Sequence, residues 1–501
     1  MTVERVGRAM SWNLAAKAAR FMAAPISYIV IVRSLGEHNW GLLNVLRTIT
    51  GFAFVLVMMG GGNALLKYLP EIRVRGGIEC FMGTVRRLAL IQGAVWIALL
   101  VIVRFGGTAF GSFFGEHSPR FSLYAQIAAA FVAFEVLLTL SMNALQSWYE
   151  TRVMGIVIII GNICYLIFVM LFLKIGWGII GVLLAGAVTN AGMFAALAPQ
   201  VRGCAGDEQR RPAVASPDLG MVLRFSLPFV ATGILNQIVW RHSEVIFLGH
   251  YTGVEAAGYF GLAYRTPQML LEFIPLAIWP IVMAGTSEAY ARNAASLSRA
   301  IDLYYRLLFI LVMPVAALGF AFSRPLVPIL FGDAMMPAAA LTQLFFVVFS
   351  YSFLYTPLSM ALYVMERSWV NMLVFAFLAI VNVGLDLAFI PRFGLWGAFF
   401  PVAFVLVLGV IVFYAVLRRI RPDITVPFRF ILRCYVAAIP AGLLVFAAAR
   451  WDSIAAMVVQ IPIGIVLLVL GFRWMRVIGE DERRLIMRLP IPFKERIIRV
   501  F

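Results

Sequence analysis

Arg241 and Glu244 stand three residues apart, and Arg265 and Glu272 seven apart, in apolar stretches on either side of a short polar hairpin, His250–Glu255. On helices, each pair would share one face. A charge at the centre of a bilayer costs roughly 2.5 kcal/mol or more, so a charge at that depth faces a cavity or a partner. Lys17, Arg20 and Arg47 occupy comparable apolar stretches nearer the start of the chain. Five such cations around a common centre would attract an anion, and guanidinium groups bind phosphate bidentately. The expected chemistry is therefore capture of a phosphate or pyrophosphate, with no bond made or broken. Glu244, Glu272 and Glu135, the last isolated in its stretch, are the candidates for ion coupling or gating. A plainer account stands beside this one. Glu244 and Glu272 then neutralise Arg241 and Arg265, Lys17 and Arg20 snorkel to one membrane surface, and Arg47 snorkels to the other. His242 is read as a hydrogen-bonded packing residue.

No other stretch offers catalytic chemistry. Gly60-Gly61-Gly62-Asn63 has neither a preceding strand nor a following Gly-Lys-Ser/Thr, so it reads as a flexible helix end rather than a phosphate loop. There is no metal-spaced His/Cys set and no nucleophile elbow. The expectation is a protein that is not an enzyme and carries no cofactor and no metal. Cys80, Cys164, Cys204 and Cys434 lie far apart without redox spacing and are expected as free thiols.

The elements that must position these charges follow from composition. The chain has 501 residues, 62% of them hydrophobic and only 13% charged, with a mean hydropathy of +0.94. Long apolar runs recur from end to end, as in a polytopic helical membrane protein. The net charge of +17 would suggest nucleic acid in a soluble protein. Here it fits the basic bias of cytoplasmic loops instead, and no nucleic-acid partner is expected.

Spans of about 20 apolar residues fall near 10–32, 41–62, 84–103, 122–145, 153–173, 177–198, 221–248, 257–284, 304–322, 339–363, 369–390, 394–417, 429–448 and 453–472. The first carries no small-residue cleavage site and is expected to be retained. With the N-terminus inside, 29 Lys and Arg fall in cytoplasmic segments and 7 outside, and the five candidate cations remain within spans. That asymmetry supports about 14 transmembrane helices with both termini cytoplasmic. Pro267, Pro275 and Pro280 share one span and are expected to kink it.

The polar segment from Gly203 to Asp218 reads as a linker between halves. The tail from Gly479 mixes Arg with Leu, Ile and Phe and is expected on the inner membrane face. The expected organisation is a six-helix bundle over 1–202, a cytoplasmic linker over 203–220, and a second six-helix bundle over 221–422. Helices 13 and 14 follow over 423–476, and an amphipathic cytoplasmic tail over 477–501. Internal similarity supports the halves. Leu35-Gly36, Gly41 and Arg47 match Leu248-Gly249, Gly258 and Arg265, while Trp177-Gly-Ile-Ile-Gly181 matches Phe393-Gly-Leu-Trp-Gly397. Six spans per copy give both copies the same orientation, the parallel-repeat plan of some transporters.

Arg33-Ser-Leu-Gly-Glu with Trp40-Gly-Leu-Leu resembles the polysaccharide-transporter family of oligosaccharide flippases. So do the run from Ile246 to Arg265, Phe331-Gly-Asp with Ala338-Ala-Ala-Leu, and Ile390-Pro-Arg-Phe-Gly-Leu-Trp-Gly-Ala. That family belongs to the multidrug/oligosaccharidyl-lipid/polysaccharide exporter superfamily. The resemblance covers about residues 5–490. It implies an all-α integral membrane protein with two parallel six-helix bundles forming a V and two further C-terminal helices. It also implies movement of an undecaprenyl-pyrophosphate-linked oligosaccharide across the bacterial inner membrane by alternating access, through a cationic cavity. Many relatives carry Asp where this chain has Glu244, a departure that bears on ion coupling. The implied partners are the lipid-linked oligosaccharide, membrane lipids and neighbouring polysaccharide polymerase or assembly proteins, with the chain itself a monomer. The competing expectation is an ion-coupled multidrug exporter of the same superfamily. That would call for twelve spans and an acidic cavity. An integral-membrane polymerase or glycosyltransferase would call for a large outside loop or a catalytic acidic motif.

Overall fold

A computed structural model describes residues 3–59, 61–115, 120–148, 150–206, 220, 230–231, 233–239, 243–448 and 454–479. Side chains at 3–20, 61–78, 444–448, 454–458 and a few scattered positions are outside the description. Among the described residues the regular structure is helical: α1 Val3–Met58, α2 Gly61–Phe113, α3 Arg120–Ser147, α4 Thr151–Lys174, α5 Gly178–Gly206, α6 Ser243–Tyr251, α7 Val254–Arg292, α8 Ser296–Phe331, α9 Pro337–Ser352, α10 Tyr355–Val364, α11 Ser368–Ile420, α12 Phe428–Ala448 and α13 Ile454–Trp474. Eight described stretches are long and apolar enough to cross a membrane. At 1.5 Å per residue, α1 and α11 each run about 80 Å, over twice the thickness of a bilayer core. Each is therefore two spans, broken where glycine permits it. Gly36 has φ 72° and ψ 176°, and Gly394 has φ 55° and ψ −126°. Only glycine adopts such angles without strain.

Two compact units emerge, Met1–Gly258 and Tyr259–Phe501. In the first, α1 packs against α3, α4 and α6, and α2, α3 and α5 enclose a core of Phe81, Leu88, Leu138, Leu145 and Leu197. The second half of α1 lies antiparallel to the stretches 233–239 and 243–249, laced by glycines. A Cβ on Gly233 would stand 2.8 Å from Val55, one on Gly51 2.7 Å from Gln237, and one on Gly249 3.1 Å from Val45. In the second unit α8 is the hub, contacting α9, α10, α12 and α13. Its core is aromatic. Phe345 packs on Phe260, Tyr264 and Phe399 at centroid distances of 5.1–5.6 Å.

Two expectations change in detail. The connection expected after the second span is helical, so α2 runs from Gly61 through the span at 84–103. The span at 339–363 divides into α9 and α10, because Pro357 has no N–H to bond the carbonyl of Phe353. The N–H of Thr356 takes that carbonyl instead, and the buried hydroxyl of Tyr305 donates to the carbonyl of Leu354 at 2.6 Å. The four cysteines are free thiols.

Candidate functional site

Of the five expected cations, Arg47 has the best-defined contacts among the described residues. It sits on the second half of α1, half-buried. Its guanidinium lies 5.9 Å from the ring centroid of Trp40, and Nη2 donates to the hydroxyl of Tyr165 on α4 at 3.3 Å. Trp40 is itself locked. It is fully buried, its Nε1 donates to the carbonyl of Gly258 at 2.9 Å, and its ring meets Tyr28 edge-on at 5.1 Å. One helical turn after Trp40, Asn44 donates to the carbonyl of Ala257 at 2.9 Å. Among the described residues Arg47 has no acidic partner. A guanidinium has five N–H donors, and the bond to Tyr165 takes one of them.

Lys17 and Arg20 lie on the first half of α1, but their side chains are outside the described residues, as are Arg241 and His242 altogether. Arg265 is exposed on α7 in the second unit, and Glu272 is exposed two turns further on the same face. Between them Gln268 donates to Glu272 Oε1 at 2.9 Å. Tyr355, the first residue of α10, lies within electrostatic reach of Glu272. Glu244 is buried, 1% exposed, in the first turn of α6, where the helix dipole favours a carboxylate. Glu135 is half-buried on α3. None of Glu135, Glu244, Arg265 and Glu272 is free of partners.

One acidic site escaped the reasoning from sequence. Asp386 on α11 is 0% exposed and Asn382, one turn earlier, 1%. Asn382 Nδ2 donates to Asp386 Oδ2 at 3.2 Å, while Asp386 Oδ1 has no partner among the described residues. An isolated buried carboxylate is very costly, so this group needs a proton or a cation. The signal was present: an aspartate inside an apolar run, with an asparagine four residues before it.

The motifs that carried the family resemblance prove to be packing devices. Trp40-Gly41 anchors α1 on the start of α7. Gly394 opens the turn inside α11, and a Cβ on Gly397 would overlap the carbonyl of Phe389. Gly178 and Gly181 repeat the arrangement between α4 and α5, with φ 51° at Gly178 and 2.8 Å from a Gly181 Cβ to Phe172. Gly332 ends α8 with φ 98°.

The profile of a family described as polysaccharide biosynthesis protein matches residues 30–340. The chain belongs to that family. No curated protein matches it by sequence. In structure it is similar to the lipid II flippase MurJ in an inward closed conformation, with a TM-score of 0.77 and 14% identity over 93% of this chain and 99% of that one. It is similar also to an inward-facing multidrug resistance MATE family transporter of the MOP superfamily, with a TM-score of 0.66 and 15% identity over 81% and 95% of the two chains. A third is a MOP superfamily transporter from Pyrococcus furiosus, described by the reverse polarity of its binding pocket. There the TM-score is 0.52 and the identity 16%, over 82% and 97%. The fold of this polysaccharide biosynthesis protein is that of MOP-superfamily transporters, and the chain is a multi-pass membrane protein.

Proposed function

We propose that the protein is a flippase that moves an undecaprenyl-pyrophosphate-linked oligosaccharide across the bacterial inner membrane for O-antigen, capsule or exopolysaccharide assembly. The observation that carries this reading is Arg47: a cation inside a span, held by Trp40 and Tyr165, with no carboxylate to neutralise it among the described residues. Such a group is costly unless an anion joins it. A pyrophosphate supplies that anion with geometry a guanidinium matches. Lys17, Arg20, Arg241 and Arg265 complete the capture site in this reading, the glycan following the head group while the lipid tail stays in the bilayer. Membership of the polysaccharide biosynthesis family and the fold shared with a lipid II flippase support it.

Alternating access would move the bundle over 1–202 against that over 221–422, with both termini cytoplasmic. No covalent chemistry is required of the chain. Asp386 joins Glu244, Glu272 and Glu135 as a coupling candidate, and its open oxygen makes it the strongest of the four for proton or cation uptake. Partners are the lipid-linked substrate, membrane lipids and the polymerase that consumes the flipped unit.

The test is deletion of the gene followed by mass spectrometry of the lipid extract. Accumulation of a full-length undecaprenyl-pyrophosphate oligosaccharide with loss of surface glycan is the expected result. An unchanged lipid pool with new sensitivity to cationic drugs would overturn it in favour of a multidrug exporter, a reading that the MATE transporters of like fold keep in view.

A further inference from the structure

The last two described helices bring four arginines to one end of the second unit. α12 begins Phe428-Arg429 and carries Arg433 one turn later, and α13 ends Arg473-Trp474 with Arg476 just beyond. All four arginines are exposed, and none has an acidic partner among the described residues. Asp423, just before α12, pairs with Arg421 at 2.8 Å, and Asp302 on α8 with Arg306 at 2.7 Å; Glu480, Asp481 and Glu482, which follow Arg476 in the chain, lie outside the described residues. The two helix ends lie side by side, because α12 and α13 meet where Gly471 presses on Ala437, so closely that a Cβ on Gly471 would overlap the Ala437 carbonyl. Arg433 is one turn from that contact on α12, and Arg473 two residues from it on α13.

Each arginine pair continues into an apolar stripe. On α12 Leu432, Val436, Ile439 and Leu443 are 64%, 38%, 51% and 53% exposed, spaced four, three and four residues apart as one helical face. On α13 Leu470 and Val466 are 55% and 56% exposed and run back from Arg473. Trp474, 79% exposed, and Phe428, 55% exposed, stand level with the arginines, where aromatic side chains occupy a membrane–water interface. A basic head-group seat with an apolar track leading from it is the outline of a phospholipid.

The backbone at Arg476 is an independent sign of function. α13 closes with the N–H of Val477 on the carbonyl of Phe472 and that of Arg476 on Arg473, a left-handed cap that glycine normally occupies. Here the left-handed residue is Arg476, with φ 48°. A strained position kept by a charged side chain points to a use for that side chain.

We propose that Arg429, Arg433, Arg473 and Arg476 bind the phosphodiester head group of an anionic phospholipid at the end of α12 and α13. The site uses none of the residues of the proposed capture site and does not depend on which glycan lipid is moved.

The test uses the full-length protein in nanodiscs and measures retention of phosphatidylglycerol against phosphatidylcholine by native mass spectrometry. Undecaprenyl phosphate and inorganic pyrophosphate are the competing probes. Each arginine near an anionic head group contributes about five-fold in affinity. Arg429→Gln with Arg433→Gln should therefore lower phosphatidylglycerol retention by about twenty-five-fold. Arg476→Gly should lower it about five-fold while raising thermal stability, a combination that a purely structural Arg476 would not produce. Arg104→Gln with Arg392→Gln, on other helices, should change neither. Equal retention of both phospholipids, equal loss in the Arg104/Arg392 control, or displacement of phosphatidylglycerol by undecaprenyl phosphate at equal concentration would each overturn the proposal.

Discussion

Gly41 and Gly258 touch through their backbones. A Cβ on Gly258 would stand 2.9 Å from the Gly41 Cα, and one on Gly41 would overlap the carbonyl of Val254. The two residues are 217 positions apart, the same separation as His38 and Glu255, which pair at 2.6 Å, and as the left-handed Gly36 and Gly253. Equivalent points of the two sequence copies thus meet each other where α1 crosses the start of α7. Gly41→Ala or Gly258→Ala should cost about 1–3 kcal/mol through overpacking against backbone that cannot yield. Melting of the purified protein in detergent measures it, with the greater loss expected for Gly41→Ala.

Arg47→Ala should reduce glycan export about ten- to a hundredfold, the worth of one or two hydrogen bonds to a charged group. Arg47→Lys should restore little, since an ammonium reproduces neither the fork nor the stacking on Trp40. Tyr165→Phe should have a milder effect, because the ring remains and only the hydroxyl that accepts from Arg47 is removed. Surface glycan assayed in a complemented deletion strain, with membrane abundance checked by immunoblot, separates these outcomes from loss of protein.

Asp386→Asn should leave the fold within about 1.5 kcal/mol of the parent, because a neutral side chain of the same shape replaces a group whose charge burial penalises. Transport should lose its dependence on the driving ion or proton gradient. Substrate accumulation measured with and without an uncoupler decides it: a mutant that still responds like the parent would remove Asp386 from the coupling role.

The connection between α11 and α12 is clasped by Arg421. It holds Asp423 and donates to the carbonyl of Ala294 at 2.9 Å, while Ser298 donates to the carbonyl of Asp423. The hydrogen bond from Arg421 holds the Asp423 carboxyl below its ordinary value. A carboxylate with a lowered folded-state pKa contributes stability above its unfolded value and loses it as pH falls through the folded one. Asp423→Asn should therefore melt slightly below the parent at neutral pH, and the gap should close below about pH 4. The gap will be small, since the pair is solvent-exposed.

Glu366 ends α10 in the left-handed conformation, with φ 59°, in the same hydrogen-bonded cap that α4 closes with Gly176. Glu366→Gly should raise stability by about 0.5–1 kcal/mol by relieving that strain. Chemical denaturation of the two proteins side by side checks the sign.

Much of the architecture was legible in the chain itself. Apolar runs near 20 residues and the repeated Trp-Gly-Ile-Ile-Gly and Phe-Gly-Leu-Trp-Gly segments are local signals, and a bilayer reads hydrophobicity locally. Arg47 could likewise be picked out as a cation in an apolar run. The tertiary structure decided what touches what. It gave Gly36 and Gly253 the same left-handed turn, where similarity alone had aligned Gly36 with Gly249. It turned Trp40 from a family marker into the strut that holds Arg47, and it sealed Asp386 away from solvent. A lone Asp in an apolar run is compatible with a cavity, a partner or burial. Only packing against other helices selects among these, because desolvation depends on neighbours distant in the chain. Membrane insertion is written residue by residue, whereas the value of each charge depends on what surrounds it after folding.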